Sequence, residues 1–146
     1  MCLYTKQAKP LIAEKDITCY KVVYRHESLK QFRSEFQFFE YKIGHTYRLR
    51  KGLRQWVPND FGYVYSGFHS FTTIKNALEY GGKRMVLLKC VIPKGARYYA
   101  GGFVQGYYDA QYTGGFGTQY CSNQIRVVAW KPMWRGKWST EWNKES

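Results

Sequence analysis

The chain has 146 residues, the usual size of one domain, and 45% of them are hydrophobic and 19% aromatic. This composition excludes an intrinsically disordered chain, and the length allows a buried core without a metal ion or a disulfide. The 23 Lys and Arg against 10 Asp and Glu give a net charge of +13, which attracts polyanions such as nucleic acids, nucleotides and anionic lipids.

The sequence predicts a cytoplasmic protein with no membrane partner. No apolar run approaches the roughly twenty residues of a membrane-spanning helix, and the opening residues lack the apolar stretch of a signal peptide. The four cysteines, Cys2, Cys19, Cys90 and Cys121, have neither C-x-x-C spacing nor a neighbouring histidine. This spacing disfavours a metal site, and we interpret Cys19 and Cys90 as buried, reduced core residues.

Two strands are predicted in the first third of the chain. Residues 17–24 are rich in β-branched and aromatic side chains, which suit a pleated and half-buried surface. Residues 34–43 alternate polar and aromatic positions and end at a turn at Gly44. From Gly44 to Gly67 the chain is basic and rich in turn residues, so we predict a loop with one short strand.

The clearest helix is predicted for residues 72–80. Apolar residues at 74, 77 and 78 share one helical face, Ser70 or Thr72 serves as the N-cap, and Gly81 and Gly82 end the helix. The apolar run 85–92 predicts a strand buried on both faces and ended by a Pro-Lys-Gly turn. Residues 124–130 predict the last strand.

These elements, roughly five strands and one helix, predict an α+β fold of small, mostly antiparallel, split β-sheets. Neither a repeat nor a linker divides the chain, so we predict a single domain over residues 1–146. The tail 131–146 is polar apart from Met133 and three tryptophans. We predict that it is flexible or docks on the body through cation–π contacts, in preference to clamping a ligand.

Tyrosines lie among cations and glycines between residues 97 and 120, a pattern that suits base stacking beside phosphate contacts. Each stacked base contributes roughly 1–3 kcal/mol. Tyrosines in strands are also frequent core residues, so we expect about half of them to be structural. The glycines between 101 and 117 do not form a P-loop, because no G-K-[ST] follows them, and a hairpin or surface loop is favoured there.

Catalytic patterns are weaker. The few acids lie among many cations, which lower the pKa of a neighbouring carboxyl group and so disfavour acid–base catalysis by Asp or Glu. Nucleophilic catalysis by cysteine and histidine would require the fold to bring the two residues together, and no spacing in the sequence indicates this.

The order of elements resembles the ADP-ribosyltransferase-like fold, an α+β split of two small sheets that holds NAD. Three blocks carry the likeness: residues 20–25 ending in Arg25, residues 66–71 with His69 and Ser70, and the late strand entered through residues 121–125. The resemblance implies that Arg25 and a serine of the middle block, such as Ser70 beside His69, hold a dinucleotide. Gln124 stands where the family has a catalytic Glu, and a neutral amide does not offset an oxocarbenium charge as a carboxylate does.

The opening residues 1–5, and the blocks 67–70 and 92–95, are also similar to small uncharacterised proteins of Bacteroidales and their phages. That resemblance implies no function of its own. If the chain is encoded by a phage, interference with host defence is one role that fits.

The sequence favours a non-enzymatic binding protein for a nucleotide or nucleic acid. The candidate ligand-binding residues are Arg25, His69, Ser70, Tyr98, Tyr99, Tyr107, Tyr108 and Gln124. For His69, a structural role beside the helix N-terminus is slightly favoured over ligand contact. One alternative is an NAD-using enzyme of the ADP-ribosyl transfer class with Asp109 or Glu79 as its carboxylate, and another is a protein–protein inhibitor that uses an aromatic surface.

Overall fold

The structure is a computed structural model, and it describes residues 3–26, 31–34, 39–49, 56–80, 85–102, 117–134, 137–138 and 141–145. These residues contain one helix, α1 (Ile74–Tyr80), and thirteen strands joined by antiparallel pairings. The strands are β1 (Leu3–Tyr4), β2 (Leu11–Ile12), β3 (Ile17–His26), β4 (Gln31–Arg33), β5 (Glu40–Tyr41), β6 (Thr46–Arg48), β7 (Tyr63–Val64), β8 (Phe68–Phe71), β9 (Met85–Ile92), β10 (Arg97–Gly101), β11 (Gln119–Ser122), β12 (Gln124–Trp134) and β13 (Lys137–Trp138).

Three long strands, β3, β9 and β12, form the centre of the main sheet. β3 pairs with β9 from Ile17 opposite Ile92 to Tyr24 opposite Met85, and β9 pairs with β12 on its other edge. Alternate side chains of these strands enter one core because successive strand residues point to opposite faces. That core includes Cys19 and Val23 of β3, Leu88 and Cys90 of β9, and Ile125 and Val127 of β12.

The other half of the main sheet follows the order β3–β8–β11–β10–β2. β3 contacts β8 through the single pairing of Tyr20 with Phe71. β11 then continues into β12 with only Asn123 between them, so the chain itself connects the two ends of the path β12–β9–β3–β8–β11. The sheet therefore curls around the core that holds Cys19, Phe68 and Ile125.

Two smaller apolar clusters lie on the opposite face of the sheet. Under α1, Ala77 packs with Val22, Phe71, Met85 and Leu87. The second cluster lies under the separate two-stranded sheet of β1 and β7 and consists of Leu3, Trp56, Val64, Tyr99 and Cys121.

The predicted mostly antiparallel sheet with one helix is confirmed, as are the strands predicted at 17–24, 85–92 and 124–130. The predicted count of five strands is too low. The strand predicted over 34–43 is also wrong as one element, because β4 and β5 pair with each other as a hairpin, with Phe32 opposite Tyr41. The finer, ADP-ribosyltransferase-like arrangement stays a prediction.

The helix begins two residues later than predicted, and its cap is Thr73. The backbone N–H of Asn76 donates to the Thr73 hydroxyl oxygen at 3.1 Å, which satisfies one of the free N–H groups of the first turn. Ser70 is not a cap, because it belongs to β8 and lies opposite Tyr120. The predicted stop at Gly81 and Gly82 falls outside the described residues.

The described part of the tail lies against the body. Asn143 forms a β-bridge with Trp130, and the ring of Trp142 stacks on Tyr20 at 6.2 Å between ring centroids. The ammonium of Lys131 lies 4.4 Å from the Trp142 ring centre, a cation–π contact of the kind predicted for this segment. In the part of the chain that the structure describes, no helix has the length and apolar character needed to cross a bilayer.

Gly67 gives a test of the packing between β8 and β11. It has a φ of +120°, and a Cβ placed on it would lie 2.6 Å from Cys121 Sγ. We expect Gly67→Ala to lower the free energy of unfolding by about 2–4 kcal/mol, from backbone strain and overpacking together. Gly44→Ala is the matched control, since Gly44 has a φ of +85° and open space around it, and should cost about 1 kcal/mol. Equal losses in urea unfolding would contradict the packing described for Gly67.

Candidate functional site

The structure separates Arg25 from Gln124, two of the residues that the resemblance places in one NAD site. Thr18 of β3 lies opposite Val91, which lies opposite Arg126, so Gln124 belongs to the Thr18 end of the sheet. Arg25 is seven residues further along β3, roughly 23 Å at the rise of a strand. Its guanidinium lies 4.4 Å from the ring centre of Trp130, in a cation–π contact.

His69, Ser70, Tyr98 and Tyr99 are brought together, because their strands β8 and β10 both pair with β11. Two of the four are core residues. Tyr99 is fully buried and its hydroxyl donates to the Trp56 carbonyl at 2.6 Å, while the Ser70 side chain is buried beside the Cys19 thiol. Tyr107 and Tyr108, together with Asp109, lie outside the described residues.

Tyr98, like His69, is a half-buried member of this group. Its ring contacts Tyr120 edge-on at 5.7 Å between centroids, and it lines an open groove of about 400 Å³ with Leu11, Ile12, Glu14, Lys15 and Ile17. Glu79, the alternative catalytic acid, is exposed on α1.

The fold does bring a cysteine and a histidine together, which the sequence did not indicate. Cys121 Sγ lies 3.7 Å from His69 Nε2, and the two residues lie opposite each other on β11 and β8. The thiol donates to the Ser66 carbonyl at 3.1 Å. His69 Nε2 contacts the Tyr65 carbonyl at 3.1 Å and must be the protonated nitrogen, since a carbonyl only accepts.

This pair is held in its neutral form. Burial lowers the pKa of His69 to about 4, with the hydrogen bond to Tyr65 opposing that shift and the charge of Lys21 adding to it. Burial raises the pKa of the Cys121 thiol well above its ordinary value. A nucleophilic cysteine acts as a thiolate, so the geometry supports a packed thiol and a hydrogen-bonding imidazole, and not an activated pair.

Lys21 is a second unexpected interior group. It is 8% exposed and lies on the same side of β3 as the core residues Cys19 and Val23. Its ammonium donates to the His69 carbonyl and lies 5.2 Å from the ring centre of Tyr41. These contacts join β3 to β8 and to the β4–β5 hairpin.

Thiol accessibility tests the conclusion that Cys121 is a packed thiol and not an activated thiolate. Cys19, Cys90 and Cys121 are buried, and burial raises the pKa of each, to about 11 for Cys19. We expect all three to stay unmodified by iodoacetamide in the native protein at pH 8 and to be alkylated in guanidinium, as resolved by peptide mass spectrometry. Rapid native alkylation of Cys121 alone would show an activated thiolate instead.

His69 should make folding stability depend on pH. Its pKa is lower in the folded chain than the ordinary value near 6.5, so the unfolded chain binds more protons between pH 6.5 and 4. Stability from this group is therefore full above pH 6.5 and falls as the pH drops, by about 2 kcal/mol between pH 7.5 and pH 5.

Urea unfolding at these two pH values provides the measurement. His69→Gln should remove most of this difference, whereas His45→Gln, at an exposed position, should leave it in place. The assignment to His69 fails if both variants keep the full difference.

Besides the contact of Cys121 with His69 and the interior Lys21, the site contains a cluster of cations around Asn123, the residue between β11 and β12. The backbone N–H of Asn123 donates to the Arg97 carbonyl at 3.0 Å, and its side-chain Oδ1 accepts from the Arg97 N–H at 2.8 Å. The Asn123 carbonyl accepts from the Leu49 N–H at 2.9 Å. Arg97 of β10 and Arg48 of β6 therefore flank this junction from two sides.

Arg126 completes what we call the arginine cluster: Arg48, Arg97 and Arg126. Gln124 pairs with Arg48 across the strands, and its Oε1 accepts from Arg48 Nε at 3.2 Å. The neighbours of these arginines along their strands, including Tyr47, Tyr98 and Ile125, pack on the main core, so strand alternation directs the three guanidinium groups outward. All three are exposed.

One carboxylate of the described chain reaches this cluster. Asp16 Oδ2 lies 3.8 Å from Arg126 Nη2, with about half of each side chain exposed, and Asp16 Oδ1 accepts from the Lys94 N–H at 2.8 Å. The arginine cluster therefore carries a net positive charge. Sequence reasoning had selected Gln124 and Tyr98, which lie beside it, but not the arginines. Each of Arg48 and Arg126 stands between two apolar residues, a pattern that could have marked both as outward cations.

No three His, Cys, Asp or Glu side chains among the described residues come close enough to hold a metal ion. Comparison of the chain with protein-family models, with curated proteins and with solved structures finds no match. The likeness to ADP-ribosyltransferases and to the Bacteroidales and phage proteins therefore stays a prediction.

Proposed function

We propose that the protein binds a phosphate-bearing ligand, a nucleotide or nucleic acid, without transforming it, and that the arginine cluster contacts the phosphates. The observation that carries this proposal is the position of Arg48, Arg97 and Arg126 on the strands that meet at Asn123, where Asp16 is the one carboxylate within ion-pair distance among the described residues. Arginine suits this role because its planar guanidinium donates two parallel hydrogen bonds to a phosphate.

The ion pair between Arg126 and Asp16 does not prevent phosphate binding. An exposed pair of this kind contributes about 0–1 kcal/mol, and its 3.8 Å separation is longer than a charge-assisted hydrogen bond. A phosphate group with its additional oxygens competes well for Arg126, while Asp16 keeps its bond to the Lys94 backbone.

Two features support binding in preference to catalysis. Cys121 is buried, the pKa of His69 is lowered and that of Cys121 is raised, which favours the neutral form of both, and the amide oxygen of Gln124 is already bonded to Arg48. Gln124 thus orients an arginine, a positioning task for which a neutral amide is well suited.

Removal of single arginines tests the proposal. We expect Arg97→Ala and Arg126→Ala each to weaken binding of a fluorescent single-stranded oligonucleotide about 3- to 10-fold, and to reduce the slope of log K against log salt by about one. Lys75→Ala, which removes an exposed cation from α1, is the matched control and should change affinity less than 2-fold.

The same salt series should include a mononucleotide, which gives a shallow slope because it offers few phosphates. Equal losses from Lys75→Ala and from the arginine variants would show general charge attraction and contradict a site at Asn123. If the wild-type chain binds neither probe at physiological salt, the proposed function is wrong.

A further inference from the structure

An exposed apolar surface lies on the segment that precedes β8. Val57, Phe61 and Tyr65 are 54%, 78% and 58% exposed, the highest values among the large hydrophobic residues described apart from Ile12 at 61%. We call these three residues the aromatic platform. The three residues lie within nine positions of one another along the chain, and a contiguous exposed apolar surface marks an interaction site.

The turn that carries Phe61 is fixed by hydrogen bonds to one side chain and to the backbone. Asn59 Oδ1 accepts from the N–H groups of Phe61 and Tyr63, both at 3.0 Å. The Asn59 backbone bonds to Gly62 and Tyr63, and Gly62 has a φ of +84°, which suits glycine. Phe61 is therefore presented to solvent on an ordered backbone.

The backbone at Tyr65 is held in place by its neighbours. Its carbonyl accepts from His69 Nε2, while Val64, directly before it, is buried in the cluster with Tyr99 and Cys121. The rings of Tyr63 and Tyr65 lie 6.2 Å apart. The exposed ring of Tyr65 therefore lies beside Tyr63 on backbone that is fixed by the packing of Val64 and the hydrogen bond from His69.

The aromatic platform and the arginine cluster lie on the same side of the main sheet. The β1–β7 sheet packs on Tyr99, and Arg97 points to the same face of β10 because it is two residues from Tyr99. Thr5 bonds both to the Ala100 carbonyl and, through its N–H, to the Gly62 carbonyl. Phe61 therefore lies roughly 15–20 Å from Arg97, from the strand rise and strand spacing.

We infer that the ligand is single-stranded nucleic acid, whose bases stack on Phe61 and Tyr65 while its phosphates reach the arginine cluster. This inference rests on the proposed function and names its ligand class. At about 3.4 Å per stacked nucleotide, the separation corresponds to about five nucleotides, which one mononucleotide does not span. A duplex hides its base faces, whereas a single strand offers them for stacking on aromatic rings.

Charge decides between this ligand and a protein partner. The chain carries +13, and the arginine cluster, on the same side of the main sheet as the aromatic platform, exposes three arginines, of which Arg126 has Asp16 within ion-pair distance. Asp60 is the acid next to Phe61 in the chain, and its single charge leaves this side of the protein positive. Aromatic faces beside a positively charged surface are the combination that single-strand binding requires.

The test uses the full chain and a labelled oligothymidine of about 12 nucleotides, within the site sizes known for such proteins. Phe61→Ala should weaken binding about 5- to 100-fold with an unchanged salt slope, because it removes stacking and no cation. Phe61→Trp should retain affinity. Tyr24→Ala is the matched control, since Tyr24 is an exposed aromatic residue of β3 away from the aromatic platform. Circular dichroism verifies that each variant is folded.

The outcomes separate this inference from the proposal it rests on. Loss of oligothymidine binding on Phe61→Ala, with ATP binding unchanged, supports it. If Phe61→Ala and Tyr65→Ala leave oligothymidine affinity unchanged while the arginine variants lose it, the stacking inference is wrong and the proposed function stands. Duplex binding as tight as single-strand binding also overturns it. Absence of binding to every nucleotide probe overturns both the proposed function and this inference, and it would favour a protein partner for the aromatic platform.

Discussion

Asn123 holds the two halves of the sheet in one register, and the positions of the exposed cations depend on it. Its N–H, its carbonyl and its side-chain oxygen all have partners, on β10 and on the residue that follows β6. Asn123 is buried, so each of these groups would cost about 1–3 kcal/mol if left unpaired. The junction of β11 with β12 is thus fixed by the need to satisfy buried polar groups, and Arg48 and Arg97 take their places from it.

The elements that could be predicted from the sequence are the long strands, which show strand composition over many residues, and the helix, which shows its own periodicity. The apolar run 85–92 and the β-branched residues of 17–24 are long enough to show strand composition, and the 3.6-residue period marks α1. β8, β10 and β11 have four or five residues each and are strands because distant partners pair with them. From their own sequence, residues 68–71 suggest only the segment before a helix. They form a strand because residues of β11, including Tyr120 and Cys121, pair with them.

The candidate site shows the same division. Composition predicted an anionic ligand, the local pattern selected Tyr98, and the resemblance to ADP-ribosyltransferases selected Gln124; both residues lie beside the arginine cluster. It could not separate Tyr98 from Tyr99, since adjacent residues of a strand face opposite ways and only the pairing fixes which one is buried. The contact between His69 and Cys121 joins residues 52 positions apart, so no spacing along the chain announces it.

Lys21 has a consequence for how this sequence can change over time. Its ammonium has a carbonyl and an aromatic face as the partners described here, and both are supplied by other strands. Exchange of Tyr41 alone for an aliphatic residue would leave the buried ammonium with the His69 carbonyl but without its aromatic face, whereas exchange of Lys21 alone for an apolar residue of similar length leaves only a carbonyl to satisfy. We therefore expect chains that diverge from this one to keep an aromatic residue at position 41 for as long as they keep the lysine at position 21.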